Sequence, residues 1–125
     1  VTNALADQPL PLYGDGRQVR DWIRVDDHCR GVDLVLRRGR IGEVYNLGGG
    51  PSNVMSIWAE FGPRLEKLLG DTIEIARGDW RPGDQRVFYA DYRKAERELG
   101  WKPKISLEEG IEHLFQWVQE NKEQF

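Results

Sequence analysis

A glycine- and proline-punctuated loop in the second half of the chain dictates where regular structure has to stop and restart. Between Gly78 and Asp91 the sequence runs Gly-Asp-Trp-Arg-Pro-Gly-Asp-Gln-Arg-Val-Phe-Tyr-Ala-Asp. Pro82 fixes its own φ and biases Arg81 towards an extended backbone, while Gly83 permits a tight turn. A short strand-like run from Arg86 to Ala90 follows, and Asp91 is placed to cap a helix over 92–99. The Arg81 guanidinium is thus aimed by a stiff backbone, with the Asp84 carboxylate close by. Taken alone, these residues fit two readings. One is a solvated ion pair on a surface turn. The other is a grip on a ligand with phosphate and hydroxyl groups, where the planar fork takes two anionic oxygens and the carboxylate accepts from a sugar or base donor.

The remaining punctuation divides the chain into short elements. Residues 1–7 read as the last turns of a helix rather than the start of a domain; with Val in place of Met at the first position, this suggests a piece of a longer protein, although a removed tag or processed Met gives the same start. Leu10–Tyr13 is a short edge, since its flanking prolines exclude a central strand. Gly14-Asp15-Gly16 is a turn, and residues 19–25 form a strand with Val19, Ile23 and Val25 as its apolar set. Asp26 or Asp27 caps a helix whose apolar face is Cys29, Val32, Val35 and Leu36, with Cys29 a small core residue. Residues 43–47 form a further strand, stopped by Gly48-Gly49-Gly50-Pro51. Ser52 or Ser56 opens a helix that carries Ile57, Trp58, Phe61, Leu65, Leu68 and Leu69 inward, kinked or split at Gly62-Pro63. Residues 72–77 alternate as a half-buried strand, and Gly100 ends the helix that Asp91 begins. Ser106 and Glu109 form a capping box for the last helix, with Leu107, Ile111, Leu114, Phe115 and Val118 on one face. The sum is an α/β chain, a small mixed layer of about four short strands with four to five helices.

Composition narrows the function. At 125 residues the chain is long enough for one real core. Its 18 basic and 21 acidic residues leave a net charge of −3, so no basic field invites nucleic acid. Apolar runs are too short to span a membrane, and the start is too polar for a signal peptide. A single cysteine and two histidines supply neither a disulfide nor metal-ligand spacing, which points to a reducing cytoplasm. Gly14-Asp15-Gly16 precedes a strand instead of opening a helix, and Pro51 spoils the spacing after Gly48-Gly49-Gly50, so neither is a dinucleotide loop. None of Tyr13, Tyr45, Tyr89 and Tyr92 has Lys four positions on. His28 and His113 have no nucleophile at motif distance, and Glu108-Glu109 is better explained by capping than by paired-carboxylate catalysis. Nothing here performs a reaction alone.

The ordered set Pro11-Leu12-Tyr13-Gly14-Asp15-Gly16, Val19 to His28, Val44 to Gly49, Trp80-Arg81-Pro82-Gly83-Asp84 and Leu99 to Pro103 resembles the C-terminal part of the extended short-chain dehydrogenases/reductases, the NAD-dependent nucleotide-sugar epimerases and dehydratases. The likeness runs through essentially the whole chain. Its first half is similar to the dTDP-glucose 4,6-dehydratases, and its second half to the CDP-paratose (CDP-tyvelose) 2-epimerases. The resemblance implies that an N-terminal Rossmann domain, absent here, holds NAD and the catalytic Tyr-x-x-x-Lys. It implies that this C-terminal portion, residues 1–125, binds the nucleotide diphosphate of a dTDP- or CDP-linked sugar without turnover or cofactor of its own. By position, Arg20 and Arg81 match the arginines on the pyrophosphate, Asp84 an acidic residue near the nucleoside, Tyr13 a segment lining the base pocket, and Asn46 an asparagine close to the nucleotide. Two other expectations stand beside this one: a stand-alone, non-catalytic nucleotide-binding module, and a structural domain that self-associates as a homo-oligomer.

Overall fold

The computed structural model describes residues 1–124. In chain order its elements are α1 (Thr2–Leu5), β1 (Leu10–Tyr13), β2 (Val19–Asp21), α2 (Val25–Arg38), β3 (Val54–Ser56), α3 (Phe61–Leu69), β4 (Ile75–Gly78), α4 (Arg93–Leu99) and α5 (Leu107–Glu120), followed by a 3₁₀ turn at Lys122–Gln124. The described residues therefore hold the mixed set of short strands and helices that the sequence predicts. They cluster into two compact units, one made of Val1–Arg20, Met55–Val87 and the chain from Ile111 on, the other of Asp21–Val54 and Phe88–Gly110.

In the first unit β1 and β4 pair in parallel, with Leu10 opposite Ile75 and Tyr13 opposite Gly78. Leu12 is the buried residue of β1, and the proline beside it suits a two-stranded edge that needs no further donor. Ala4, Leu65 and Phe115 form the buried cluster, with Leu10, Phe61, Leu68, Leu69 and Ile73 packed around it. The expected kink at Gly62-Pro63 does not occur. The helix starts at Phe61 instead, so Pro63 falls in the first turn, where a missing N–H costs nothing. Residues 54–56, expected to lead into that helix, form β3. Ser56 and Glu60 then close a turn on each other: Glu60 accepts from Ser56 N–H at 2.7 Å, and Ser56 Oγ accepts from Glu60 N–H at 2.8 Å. Trp58 consequently lies before α3 and against its first turn, since a Cβ on Gly62 would come within 2.7 Å of the indole.

The second unit is built on Trp101, which is fully buried with Ala95 and Leu99 and flanked by Ile23, Leu34, Val35, Tyr45, Leu47 and Tyr92. Tyr92 meets Trp101 edge-on at 5.8 Å, and the indole N–H donates to Asp27 O at 3.0 Å. Gly31 lets α2 approach this closely, because a Cβ there would lie 2.7 Å from Leu47 and 2.8 Å from Trp101 Nε1. That approach sets the register of α2 and corrects the sequence reading. Its buried residues are Asp27 and Gly31, whereas Cys29, Val32 and Leu36 are exposed. The cap position is Arg24, not Asp26 or Asp27. Residues 43–47 are not a strand: they carry no assigned strand pairing among the described residues, though Tyr45 and Leu47 pack inward. Asp91 acts one residue earlier than expected, accepting from Arg93 N–H at 3.0 Å while Tyr92 holds the cap position. Gly100 ends α4 in the left-handed region (φ 66°), as the sequence predicts. Ser106 Oγ accepts from Glu109 N–H at the start of α5.

Candidate functional site

β1 ends at Tyr13 and β4 ends opposite it at Gly78, so the loop that follows β4 starts beside the Tyr13 ring. Gly78 is small because that ring lies on it; an added Cβ would sit 3.0 Å from the ring edge. The loop turns at once, with Asp84 N–H donating to Arg81 O at 3.1 Å and Gly83 at φ 80°. This turn brings Arg81 over the Tyr13 ring, 4.8 Å from its centroid, and points Asp84 towards β2. There Arg20 Nη2 donates to Asp84 Oδ1 at 2.7 Å, and its Nη1 donates to Val19 O at 2.8 Å. Arg81 Nη2 stands 3.8 Å from the other oxygen, Oδ2. Both guanidiniums therefore converge on one carboxylate.

The two contacts differ in character. Arg20 is held by a short, partly buried, charge-assisted bond to a carboxylate only 11% exposed, whereas Arg81 is 62% exposed and too far for a hydrogen bond. Exposed pairs of the second kind contribute little, so Arg81 can take another anionic oxygen at small cost. The triad of Arg20, Arg81 and Asp84 carries a net positive charge, enough to attract an anion.

A buried glutamine that sequence reasoning missed ties the cluster together. Gln18 Nε2 donates to Tyr13 O at 2.8 Å and lies 3.5 Å from Asp84 Oδ2. Its Oε1 is buried with no partner, and its neighbour above Gly14 is Trp80. No local pattern marks such a residue; only its position between the Tyr13 and Arg20 motifs hinted at it. Arg86 sits 5.5 Å over the Trp80 ring.

Four of the five sequence-predicted residues, Tyr13, Arg20, Arg81 and Asp84, are thus brought together in the first unit. Asn46 belongs to the second, where its side-chain amide donates to Asp91 O at 3.4 Å. Asp91 is gripped by Arg93, whose guanidinium holds the carboxyl down at about 2. Asp91 and Arg93, but not Asn46, line a cavity of about 540 Å³ with Pro51, Tyr89 and Tyr92.

The glycines offer no cradle for a dinucleotide. Cβ atoms placed on Gly48, Gly49 and Gly50 would meet Ala90 and Asp21, Trp22 O, and the Tyr92 ring at 2.1–2.6 Å, so the chain's own atoms fill that loop. Asp21 Oδ2 accepts from Gly50 N–H and Ala90 N–H, closing it further. Among the described residues no group of three His, Cys, Asp or Glu side chains is placed to hold a metal, and no helix is long and apolar enough to cross a membrane.

Comparison with known proteins gives this geometry its context. The family model described as GDP-mannose 4,6 dehydratase matches residues 1–114. The dTDP-glucose 4,6-dehydratase of Xanthomonas campestris pv. campestris is 38% identical over 130 residues, covering 98% of this chain and 37% of the relative. That of Streptomyces antibioticus is 41% identical, covering 98% and 36%. Among solved structures, the dTDP-glucose 4,6-dehydratase of Streptomyces venezuelae with NAD bound superposes with a TM-score of 0.88 at 38% identity, over 99% of this chain and 38% of that one. The UDP-glucuronic acid 4-epimerase of Bacillus cereus, in complex with UDP-glucuronic acid and NAD, gives 0.84 at 33% identity, over 96% and 38%. The chain spans somewhat more than a third of the length of the relatives it matches.

Proposed function

We propose, from the premise that this chain belongs to the GDP-mannose 4,6 dehydratase family of NAD-dependent epimerases and dehydratases, that it grips the nucleoside diphosphate end of a nucleotide sugar. The observation that carries this reading is the meeting of Arg20 and Arg81 on one carboxylate. Two guanidiniums from separate elements, already held within reach of a shared anion, lose little freedom when a diphosphate takes that place. The Tyr13 ring lies under the Arg81 guanidinium, 4.8 Å from centroid to Cζ. Asp84, relieved of part of its pairing, is left as an acceptor for hydroxyl donors on the nucleoside.

The sugar would be dTDP- or CDP-linked. Its chemistry, oxidation of the sugar by NAD and return of the hydride from the NADH so formed, would belong to the portion of the relatives that this chain does not match. What this chain contributes is orientation: fixing the remote diphosphate spends binding energy on holding the sugar still. The test is calorimetric titration of dTDP-glucose, CDP-glucose and free pyrophosphate. Arg81→Ala should remove a charge-assisted contact worth about 1.5–3 kcal/mol, a loss of roughly 10- to 150-fold in affinity. Equal affinity in Arg81→Ala and the unaltered chain would sink the assignment. A thermal shift of about 2.7 kcal/mol at 100 times the dissociation constant separates a binding module from a purely structural one, which would give none.

A further inference from the structure

We infer that Gln18 is a positioning residue for the nucleoside half of the ligand, acting through Asp84 without touching the ligand itself. The inference rests on the reading above for what the site takes.

Gln18 is 1% exposed. Its backbone is fixed on both sides: Ile57 N–H donates to Gln18 O at 2.8 Å, and Val19 N–H donates to Arg86 O at 2.8 Å. The amide is aimed accordingly. Nε2 carries two hydrogens, and two acceptors face it, Tyr13 O at 2.8 Å and Asp84 Oδ2 at 3.5 Å. Turning the amide over would set Oε1 against both of these oxygens, so its orientation follows from its partners. Oε1 itself is buried without a partner, and an unmet buried acceptor destabilises a fold. A glutamine retained despite that, with both donors directed at the site, is placed for what those donors hold.

They hold the end of β1 and the shared carboxylate. Asp84 Oδ1 is bound by Arg20 at 2.7 Å, and Oδ2 is faced by Arg81 at 3.8 Å as well as by Gln18. A diphosphate that draws the guanidiniums to its own oxygens weakens both cationic contacts. The Gln18 amide is neutral and sealed from solvent, with Gly14 so close that an added Cβ would come within 2.9 Å of Nε2. A phosphate cannot reach it. Gln18 therefore stays on Asp84 after the arginines have moved, and keeps the carboxylate turned towards hydroxyl donors on the nucleoside. Free pyrophosphate presents no nucleoside hydroxyls and gains nothing from an aimed Asp84.

Calorimetric titration of dTDP-glucose and of pyrophosphate into Gln18→Met tests this. Methionine matches glutamine in length and lacks its donors. It removes the unmet Oε1 while stripping Tyr13 O of its partner, so the thermal midpoint should stay close to that of the unaltered chain. Affinity for dTDP-glucose should fall about tenfold, as for one hydrogen bond to a charged group, whereas affinity for pyrophosphate should change by less than about twofold. Beside Asp84→Ala, Gln18→Met should have no further effect on dTDP-glucose, because nothing is left to position. Should Gln18→Met not fold, Gln18→Asn, whose amide falls one methylene short of both acceptors, carries the same expectation. Equal losses for the two ligands overturn the proposal, since general loosening of the site would produce them. So does an unchanged affinity for dTDP-glucose, or a loss that persists beside Asp84→Ala. Weaker binding of both ligands by Arg81→Ala upholds the reading of the site whatever Gln18→Met shows, and an unaltered chain that binds neither ligand overturns both.

Discussion

The Asp27 carboxylate accepts from the backbone N–H groups of Lys104 and Ile105 at 2.7 and 2.9 Å and from the Arg30 guanidinium, while its own carbonyl takes the Trp101 indole. Burial pushes this carboxyl up, but the bonds from Ile105, Arg30 and Lys104 outweigh that and hold it below its ordinary value of 3.8. Asp27→Ala would leave two backbone donors without an acceptor and should cost on the order of 3 kcal/mol in urea unfolding. Since the folded pKa is depressed, the contribution is complete above the ordinary carboxyl value and is lost as pH falls through the folded one. Asp27→Asn should flatten the acid limb of the stability profile as pH falls below the ordinary carboxyl value of 3.8. At this scale the sequence marks Asp27 only as a helix-start aspartate, because its partners lie far along the chain and leave no local trace. Arg81 and Asp84 were legible for the opposite reason: a proline and a glycine placed them on one turn. Gln18 was not, since its partners are a backbone carbonyl and a distant carboxylate.

Elements were legible where caps and periodicity agree. The α4 stop at Gly100 and the α5 start at Ser106 follow from local chemistry, β1 was read as an edge from its flanking prolines, and β4 overlaps the alternating run 72–77. They were misread where tertiary contacts override the pattern. In α2 the apolar residues at 29, 32 and 36 trace a convincing face, yet Gly31 decides the packing because only glycine admits Leu47 and Trp101 so closely. Gly31→Ala therefore separates two expectations. Helix propensity alone predicts a gain of about 1 kcal/mol. The contacts at 2.7 and 2.8 Å predict overpacking that costs about 1–3 kcal/mol, so a net lowering of the thermal midpoint is expected. By contrast, Pro63→Ala should change stability by only a few tenths of a kcal/mol, because the residue sits in the first turn of α3 and its nitrogen has no intrahelical bond to lose.

Across the whole molecule, neither unit is a contiguous stretch: the chain passes from one to the other after residues 20, 54, 87 and 110. The passages at 20, 54 and 110 fall within β2, β3 and α5 rather than in linkers. A unit assembled from separated segments must close several loops before its core returns any free energy. Phe115 is the sharpest probe of this closure, because it comes from the last segment of the first unit and packs with Ala4 from its first and Leu65 from its middle one. Phe115→Ala should cost about 3–5 kcal/mol, the usual range for emptying a buried aromatic site. If folding is a single cooperative event, amide exchange in α4 should accelerate by the same factor as in α3, although Phe115 belongs to the unit that holds α3 alone. Acceleration confined to α1, α3 and α5 would instead show that the Trp101 core survives by itself, and that only the unit holding Arg20 and Arg81 had been lost.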